Sequence, residues 1–282
     1  MKTDGYIIEK YNHMTNAYTC NRLAAEGQAL GMDVMISGIH DTFVTADGVY
    51  NCGDLLRKRS FVINRCKWGR LRECVNALAE RSYNSPEACT LYVNKYEQVK
   101  RLHSGSFRIP RYVLATPLIP LETLERLTGL PAVAKGTESS MGEEVFLIRE
   151  RSDLQMLCSR FGIAREWLFE EFIAASSGRD LRLFSMRGEA VACMQRKSRG
   201  DFRANVALGA EVEPYDVTEV LRTAARDLYE ETGLDCAGID LLFGEDGYVF
   251  CEINVMPGIE GIEKATGINI AGAVMEMIRR DF

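Results

Sequence analysis

The chain has 282 residues, of which 46% are hydrophobic and 26% are charged, and its net charge at pH 7 is −6. These values are typical of a globular protein, and the acidic balance argues against a nucleic acid or an anionic membrane surface as the main partner. No apolar run reaches the length of a membrane span. Nine dispersed cysteines without a C-x-x-C pair indicate a reduced, cytoplasmic setting. The composition leaves a homo-oligomer open.

The first third of the chain alternates short apolar runs with helical patterns. Strands are predicted at residues 6–8, 34–36 and 61–63, helices at 16–30 and 71–81, and a polar turn or short helix at 54–58. Strands that alternate with helices in this way predict a small parallel α/β domain over residues 1–93.

Asn64 and Arg65 end the third of these strands. Ligands bind at the carboxyl ends of strands in α/β sheets, and an arginine there suits a substrate carboxylate through bidentate pairing. Both are therefore candidate substrate residues. The alternative is that Arg65 only forms a salt bridge across the domain interface.

The remaining residues, 94–282, mix helices with antiparallel strands. Helices are predicted at 94–102, 121–127, 153–160, 217–232 and 271–280, and strands at 111–115, 132–135, 145–148 and 167–173. Residues 181–186 and 190–196 are predicted to form a hairpin. This pattern predicts a second, α+β unit.

A further hairpin, residues 238–258, carries the most specific signal. With 245–247 as a three-residue loop and Gly247 at positive φ, facing residues have numbers that sum to 492, so Asp240 lies opposite Glu252. Asn254 shares the face of Glu252, while the other face is apolar and includes Cys251. Two carboxylates and an amide suit Mg²⁺ together with nucleotide phosphates. The alternative is an edge hairpin with scattered polar residues.

Several common catalytic and nucleotide motifs do not occur in the sequence. There is no Walker loop, no pair of glycines spaced G-x-G, no H-E-x-x-H helix and no G-x-S-x-G elbow. The only histidines are His13, His40 and His103. Acid–base chemistry by histidine is therefore not expected.

A nucleotide site of another kind is indicated by a lysine and a small-residue loop. Lys135 ends an apolar strand and is followed by residues 136–142, which include Ser139 and Ser140. Small residues allow close approach to phosphate oxygens, and Lys95 is a second candidate ammonium group. In isolation, the loop could equally be a turn and Lys95 a surface residue.

The end of the strand at 167–173 has free backbone groups that suit an adenine edge, which makes Glu170, Glu171, Phe172 and Ile173 candidates there. Asp180 follows and suits ribose hydroxyls.

A cationic cluster stands out in this acidic protein: Arg182, Arg196, Lys197, Arg199 and Arg203. Such a cluster suits phosphoryl transfer, in which Arg, Lys and Mg²⁺ neutralise the moving charge. Residues 200–202 resemble a mobile loop that carries Arg203 and Asn205 over the site. For Arg199 and Lys197 a solvated charged face is an equal alternative.

Together these motifs resemble the ATP-grasp superfamily, and within it the RimK-like amino-acid ligases. The matching segments are 84–88 with Asn94 and Lys95, 171–173 with 178–182, 200–205, and 252–267. The resemblance implies a small parallel α/β domain (the pre-ATP-grasp domain) followed by an ATP-grasp domain at 94–282, whose two α+β lobes clamp ATP, the smaller lobe at about 129–172.

The resemblance also implies a reaction: ATP phosphorylates a carboxylate, and an amine attacks the acyl phosphate to form an amide, as in glutamate addition to a protein, peptide or small molecule. It implies ATP and a pair of Mg²⁺ ions, with Mn²⁺ as an alternative metal. Lys95 and Lys135 would contact phosphates, Glu171 to Ile173 the adenine, and Asp180 the ribose. Arg203 and Asn205 would lie beside the phosphates, and Asp240, Glu252 and Asn254 would hold the metal. The catalytic candidates are Arg203 and, from the cationic cluster, Arg182 and Arg196. A kinase acting on a hydroxyl and an ATP-binding regulatory protein are the alternatives.

Overall fold

The computed structural model describes residues 3–10, 18–66, 69–139, 144–198, 200–204 and 209–282. Within these ranges the strands form four sheets. No helix in the described part of the chain is both long enough and apolar enough to cross a membrane.

The first sheet is parallel and has the strand order β2-β1-β6-β7. Its strands are β1 (Asp4–Glu9), β2 (Asp33–Gly38), β6 (Arg59–Asn64) and β7 (Ala79–Tyr83), and its helices are α1 (Tyr18–Ala29) and α2 (Arg70–Asn76). The predicted parallel α/β organisation is confirmed. The predicted helix at 71–81 is wrong in its second half, because the chain turns after Asn76 and pairs with β6 as an edge strand.

A three-stranded antiparallel sheet is inserted between β2 and β6. It contains β3 (Thr42–Thr45), β4 (Gly48–Asn51) and β5 (Asp54–Leu55). The polar turn or short helix predicted at 54–58 is wrong, since β5 pairs with β4 there. Strands this short give too few alternations to be read as strands from sequence. Thr42 and Asn51 both donate to the carbonyl of Gly38, which holds the insertion against β2.

The third sheet, with the order β11-β10-β12-β9, is antiparallel throughout. It is reached through α3 (Pro86–Tyr92), α4 (Lys95–Arg101) and β8 (Phe107–Arg108). Its elements are β9 (Tyr112–Ala115), α5 (Leu121–Thr128), β10 (Ala132–Gly136), β11 (Val145–Ile148), α6 (Arg151–Phe161) and β12 (Trp167–Glu171). Trp167 and Leu124 are fully buried in its core. The sheet also includes β9, which precedes the lobe predicted at about 129–172, and the bounds of that lobe stay a prediction.

The fourth and largest sheet has the order β15-β14-β13-β16-β17-β8. Its remaining strands are β13 (Arg179–Met186), β14 (Glu189–Lys197), β15 (Glu211–Pro214), β16 (Cys236–Phe243) and β17 (Tyr248–Asn254). The helices are α7 (Glu219–Thr232), α8 (Glu260–Thr266) and α9 (Ile270–Arg280). The predicted hairpins at 181–196 and 238–258 both belong to this sheet.

The largest sheet has apolar cores on both sides. One core contains Leu183, Ile239 and Phe250 and is covered by α3, α4 and α7. The other joins Phe184 of β13 to Ile7 and Phe61 of the first sheet and to Met275 of α9. The first sheet is thus packed against the largest one. The domain boundary after residue 93 stays a prediction.

Candidate active site

A cavity of about 140 Å³ lies between the largest sheet and the sheet of β9–β12. It is lined by thirteen of the residues singled out from sequence: Lys95, Lys135, Ser139, Glu170, Glu171, Phe172, Ile173, Asp180, Arg182, Arg196, Arg203, Asp240 and Glu252. Candidates spread over more than 150 positions of sequence are therefore brought together.

Five charged side chains of this cavity come from direct cross-strand pairs on one face of four neighbouring strands. Asp180 of β13 lies opposite Arg196 of β14, and Arg182 of β13 lies opposite Asp240 of β16. Asp240 in turn lies opposite Glu252 of β17. Directly opposed residues have Cβ atoms about 4.5–5.5 Å apart, so the sheet itself sets the spacing of these charges.

The pairing of Asp240 with Glu252 follows the predicted register, and Asn254 lies beside both. The amide nitrogen of Asn254 is 3.5 Å from Asp240 Oδ2 and 3.3 Å from Glu252 Oε1. Two carboxylates and an amide therefore converge as expected. The described residues contain no group of three or more His, Cys, Asp or Glu arranged to hold a metal, so any metal here would use this mixed set.

The predicted register fails nearer the loop, because a β-bulge follows the Asp240–Glu252 pair. Leu241 faces Phe250, and the loop has four residues, 244–247, closed by a 2.7 Å bond between the nitrogen of Gly244 and the oxygen of Gly247. Bulges re-aim side chains next to functional sites. As a result Phe250 fills the apolar core, and Cys251, predicted to lie there, lines the cavity.

Asp240 is held by two arginines. Arg182 donates to its two carboxylate oxygens at 2.7 and 2.6 Å, and Arg196 donates to Oδ2 at 2.8 Å. Although burial acts to raise it, these guanidinium groups hold the pKa of Asp240 below its ordinary value.

Arg196 also donates to both oxygens of Asp180, at 2.6 Å each. Burial raises the pKa of Asp180 to about 6, against the opposing effect of Arg196. Arg196 thus joins the carboxylate proposed for ribose to the carboxylate proposed for the metal, and both of its neighbours are buried.

Lys135 and Glu170 form a second buried pair, at 2.6 Å. They are diagonal neighbours on β10 and β12, where Val133 faces Glu170 and Lys135 faces Leu168. Lys135 also donates to the carbonyl of Cys251 at 3.1 Å. Burial raises the pKa of Glu170. Its Oε1 atom is buried and has no hydrogen-bond partner among the described residues, which marks an acceptor that a ligand could satisfy.

Lys95 connects the loop after β10 to the hairpin of β16 and β17. Its ammonium donates to the carbonyl of Ser139 at 2.5 Å and lies 3.5 Å from Glu252. Although burial opposes it, Lys95 is the main group that lowers the pKa of Glu252. Ser140, predicted to lie in the same loop, falls outside the described residues.

The exit of β12 places Glu171, Phe172 and Ile173 at the cavity, but the Glu171 side chain turns away from it. Its carboxylate accepts from Arg108 and from the backbone nitrogen of Arg111. The carboxylate of Glu171 is therefore engaged, as is its backbone nitrogen, which donates to the carbonyl of Arg111 at 3.0 Å. Its place at an adenine stays a prediction.

Phe202, which sequence reasoning did not select, packs edge-on against Phe172, with ring centroids 6.2 Å apart. Its carbonyl accepts from the nitrogen of Gly178 at 2.9 Å. Gly178 has φ +73°, and the carbonyl of Asp201 would lie 3.1 Å from any added Cβ. The loop before Arg203 is thus packed against the residues that follow β12. The sequence motif Gly200-Asp201-Phe202, which contains this residue, was the signal from which it could have been selected.

Arg203 lies in the cavity wall and pairs with Asp201, with Nη2 2.7 Å from Oδ2. Asp201 also accepts from the backbone nitrogen of Arg203 at 2.8 Å, which fixes the turn. Asn205 and Arg199 lie outside the described residues. Lys197 is exposed and pairs with Glu213, in keeping with the solvated alternative.

Asn64 and Arg65 are not in this cavity. They line a smaller one of about 50 Å³, between the first sheet and the segment after β17. The amide of Asn64 donates to Asn76, while Arg65 pairs with Glu9 at 3.1 Å and donates to the carbonyl of Pro257 at 3.0 Å. The salt bridge of Arg65 thus stays within the first domain, and its contact across the interface is the hydrogen bond to Pro257; its role toward a substrate stays a prediction.

Comparison with known proteins gives concordant matches. The RimK-like ATP-grasp domain matches residues 94–278. A probable alpha-L-glutamate ligase of Shewanella halifaxensis is 29% identical over 296 aligned residues, covering 99% of this chain and 64% of that protein. The ribosomal protein bS6–L-glutamate ligase of Escherichia fergusonii is 35% identical over 161 residues, which are 56% of this chain and 54% of that protein. The chain thus spans less than two thirds of the length of both relatives.

Among solved structures, the ATP-grasp ligase PsnB in complex with a minimal precursor superposes with a TM-score of 0.74. The match covers 100% of both chains at 16% identity, and so it establishes the ATP-grasp fold. Since the family match spans well over half of the sequence, the chain belongs to the RimK-like ATP-grasp family.

Proposed function

We propose that the chain is an ATP-dependent carboxylate–amine ligase that forms an amide bond through an acyl phosphate. The observation that carries the proposal is the convergence of Asp240 and Glu252 with two lysines and four arginines in one cavity, with the amide of Asn254 beside both carboxylates. Phosphoryl transfer needs positioning and charge neutralisation more than covalent chemistry by the protein. The cavity supplies both.

A protein nucleophile is not required by this proposal, and the thiol in the cavity is unsuited to be one. Burial raises the pKa of Cys251 to about 12, so the thiolate that would act as nucleophile is scarce at neutral pH. This argues for direct transfer of phosphate to a bound carboxylate.

The residues present fit ATP. Lys95 and Lys135 are the ammonium groups for its phosphates, with Ser139 and Ser140 in the loop between β10 and β11. The backbone at Glu171, Phe172 and Ile173 would bind the adenine edge, and the orphaned Oε1 of Glu170 would accept from an amino group. Asp180 would bind ribose hydroxyls, and Arg203 and Asn205 would lie beside the phosphates.

Asp240, Glu252 and Asn254 also fit Mg²⁺, which takes a few hard oxygen ligands and keeps the rest of its shell for phosphates and water. We propose a pair of ions, with Mn²⁺ as an alternative. When bound, the metal would neutralise charge on the transferred phosphoryl group. Lys95 keeps Glu252 ionised and ready for this role, as the lowered pKa indicates.

In the proposed reaction, a carboxylate oxygen of the substrate attacks the terminal phosphorus of ATP, and the bond to ADP breaks. The amine then attacks the acyl carbon, the phosphate leaves with the electron pair of the C–O bond, and the amine loses a proton. Arg182 and Arg203 would stabilise the charge on the transferred phosphoryl group. The contact between Phe172 and Phe202 would exclude water from the acyl phosphate.

Glutamate is the amino acid we propose first for the amine or acid partner, because two relatives are named as glutamate ligases. A protein, a peptide or a metabolite is proposed as acceptor; the structural neighbour PsnB is described with a precursor. We also propose a cytoplasmic setting, supported by nine cysteines that are all free thiols.

An ADP-release screen over amino acids and peptides, with mass spectrometry of the products, tests the proposal. The expected result is ADP release that depends on both an acid and an amine, with a product lighter than their sum by one water. A phosphorylated hydroxyl as the stable product would show a kinase instead. ATP binding without turnover for any pair would favour a regulatory protein. Glu252→Gln is the matched inactive control.

A further inference from the structure

Arg182 occupies the carboxylate that is proposed to bind the metal. It meets Asp240 directly across β13 and β16 and donates to both of its oxygens, at 2.7 and 2.6 Å. A divalent cation needs at least one of those oxygens. Metal binding at Asp240 therefore competes with the guanidinium group of Arg182 for these oxygens.

The two arginines that contact Asp240 differ in their freedom to move away from it. The side chain of Arg196 is only 5% exposed and is anchored by two bonds to Asp180. The side chain of Arg182 is 17% exposed at the cavity wall, and within the described residues its hydrogen bonds go to Asp240 alone. Releasing Arg196 would leave Asp180 buried without its partner, whereas releasing Arg182 leaves Asp240 for the incoming cation.

The balance of charges around Asp240 also favours movement of Arg182 when a cation binds. Asp180, Asp240, Arg182 and Arg196 form a buried group with no net charge. A divalent cation next to two guanidinium groups introduces like charges at close range, which is strongly unfavourable. Movement of Arg182 toward the phosphates relieves that repulsion and brings a cation to the charge being transferred.

We propose that Arg182 is an exchangeable counter-ion of Asp240: it holds the carboxylate until a divalent cation binds there, and it then turns to the phosphoryl group. The second half of this proposal rests on the proposed ligase function, while the first half concerns Asp240 and the metal alone. Arg182 is accordingly both a competitor of the metal and a contributor to turnover, and its removal has effects of opposite sign on the two.

The test is Mn²⁺ binding to the full-length, nucleotide-free protein, measured by the loss of the free Mn²⁺ signal in electron paramagnetic resonance. Arg182→Met is expected to lower the Kd for Mn²⁺ about tenfold, because a like charge beside the site is removed. Arg222→Met is the charge-matched control, since Arg222 lies on α7 and is half exposed. Adding Asp240→Asn to Arg182→Met is expected to abolish the gain. Thermal unfolding of each variant establishes that it is folded.

In the same preparations, ADP release by Arg182→Met is expected to fall about 100-fold, and Arg182→Lys is expected to recover part of it. An unchanged or raised Kd for Mn²⁺ in folded Arg182→Met would overturn the exchange, as would an equal gain in Arg222→Met. If the wild-type protein forms no amide but Arg182→Met still binds Mn²⁺ more tightly, the exchange stands and the ligase function fails. If the wild-type protein forms an amide but Arg182→Met does not bind Mn²⁺ more tightly, the ligase function stands and the exchange fails.

Discussion

Arg65 donates a 3.0 Å hydrogen bond to the main-chain carbonyl of Pro257, in the segment that follows Asn254. The same side chain is held from the other side by Glu9 at 3.1 Å. The end of the third strand of the first sheet thus touches the exit of the hairpin proposed to bind the metal. Asn84, which follows β7, contacts the same segment, since its amide donates to the carbonyl of Val255 at 2.8 Å.

Arg65→Ala is expected to raise the KM for the acid or amine substrate about fivefold or more and to leave the KM for ATP nearly unchanged. The reason is that Arg65 lies outside the nucleotide cavity, at a strand end where a substrate carboxylate would bind. Steady-state kinetics with each substrate varied in turn measure this. Arg57→Ala, which removes an exposed ion pair of the same domain, is the control. Equal weakening for both substrates, or a loss of thermal stability large enough to explain the defect, would favour a purely interfacial role.

Glu252→Gln is expected to reduce turnover by about 100-fold or more while the fold stays intact. One carboxylate of the proposed metal set is lost, and Lys95 is left 3.5 Å from an uncharged amide. ADP release and thermal unfolding measure the two effects, and Glu213→Gln on the exposed side of β15 is the control. Near-normal ADP release from a folded Glu252→Gln protein would remove Glu252 from the metal site.

Arg203→Ala is expected to lower kcat by about 100-fold with a smaller effect on the KM for ATP. Its charge is needed most when the phosphoryl group moves, and in the structure Asp201 keeps it in the cavity wall. Lys197→Ala tests whether any nearby positive charge would act in the same way. A weakened apparent affinity for ATP with unchanged turnover would identify Arg203 as a ground-state binder.

Asp281→Asn is expected to lower the free energy of unfolding at pH 7 by about 1–2 kcal/mol. Asp281 accepts from Tyr83 of β7 at 2.5 Å and pairs with Arg187, so it ties the first sheet to the largest one. Hydrogen bonding to Arg187 lowers the pKa of Asp281 to about 2. A lowered pKa stabilises the fold above the ordinary value of 3.8 and ceases to do so as the pH falls toward 2.

Urea unfolding of wild type and Asp281→Asn at several pH values measures this dependence. The difference between the two proteins should be full at pH 7 and should shrink as the pH falls below about 4. Asp246→Asn, in the exposed loop between β16 and β17, is the control. A difference that stays constant down to pH 3 would show that the charge of Asp281 is not what stabilises the contact.

The alternation of the metal-binding candidates was predictable because it is local. The pairing of Asp240 with Glu252, predicted from a three-residue loop, holds because the bulge at Cys251 offsets the extra residue of the actual four-residue loop. The bulge that turns Cys251 into the cavity was not predictable, since it depends on how β17 packs against its neighbours. The pair Lys135–Glu170 likewise requires the register of β10 with β12, which are separated in sequence by β11 and α6.

The errors in the first domain have a similar origin. Residues 71–81 contain good helix formers with helical spacing, and only the parallel partner β6 makes the second half a strand. The assignment of Arg196 to the phosphates came from its charge alone. Its two aspartate partners come from β13 and β16, and a sequence read one segment at a time does not show them.

The contacts of Lys95 couple the proposed binding of a nucleotide to the loop that follows β10. Its backbone nitrogen donates to the carbonyl of Thr137 at 2.8 Å, and its ammonium donates to Ser139 in the same loop. A phosphate that recruits this ammonium must take it from the loop's own carbonyl. The described part of the loop would then keep the backbone bond from Lys95 to Thr137 and the bond from the Asn94 amide to Glu138, so the group proposed to bind the nucleotide also helps to hold the loop in place.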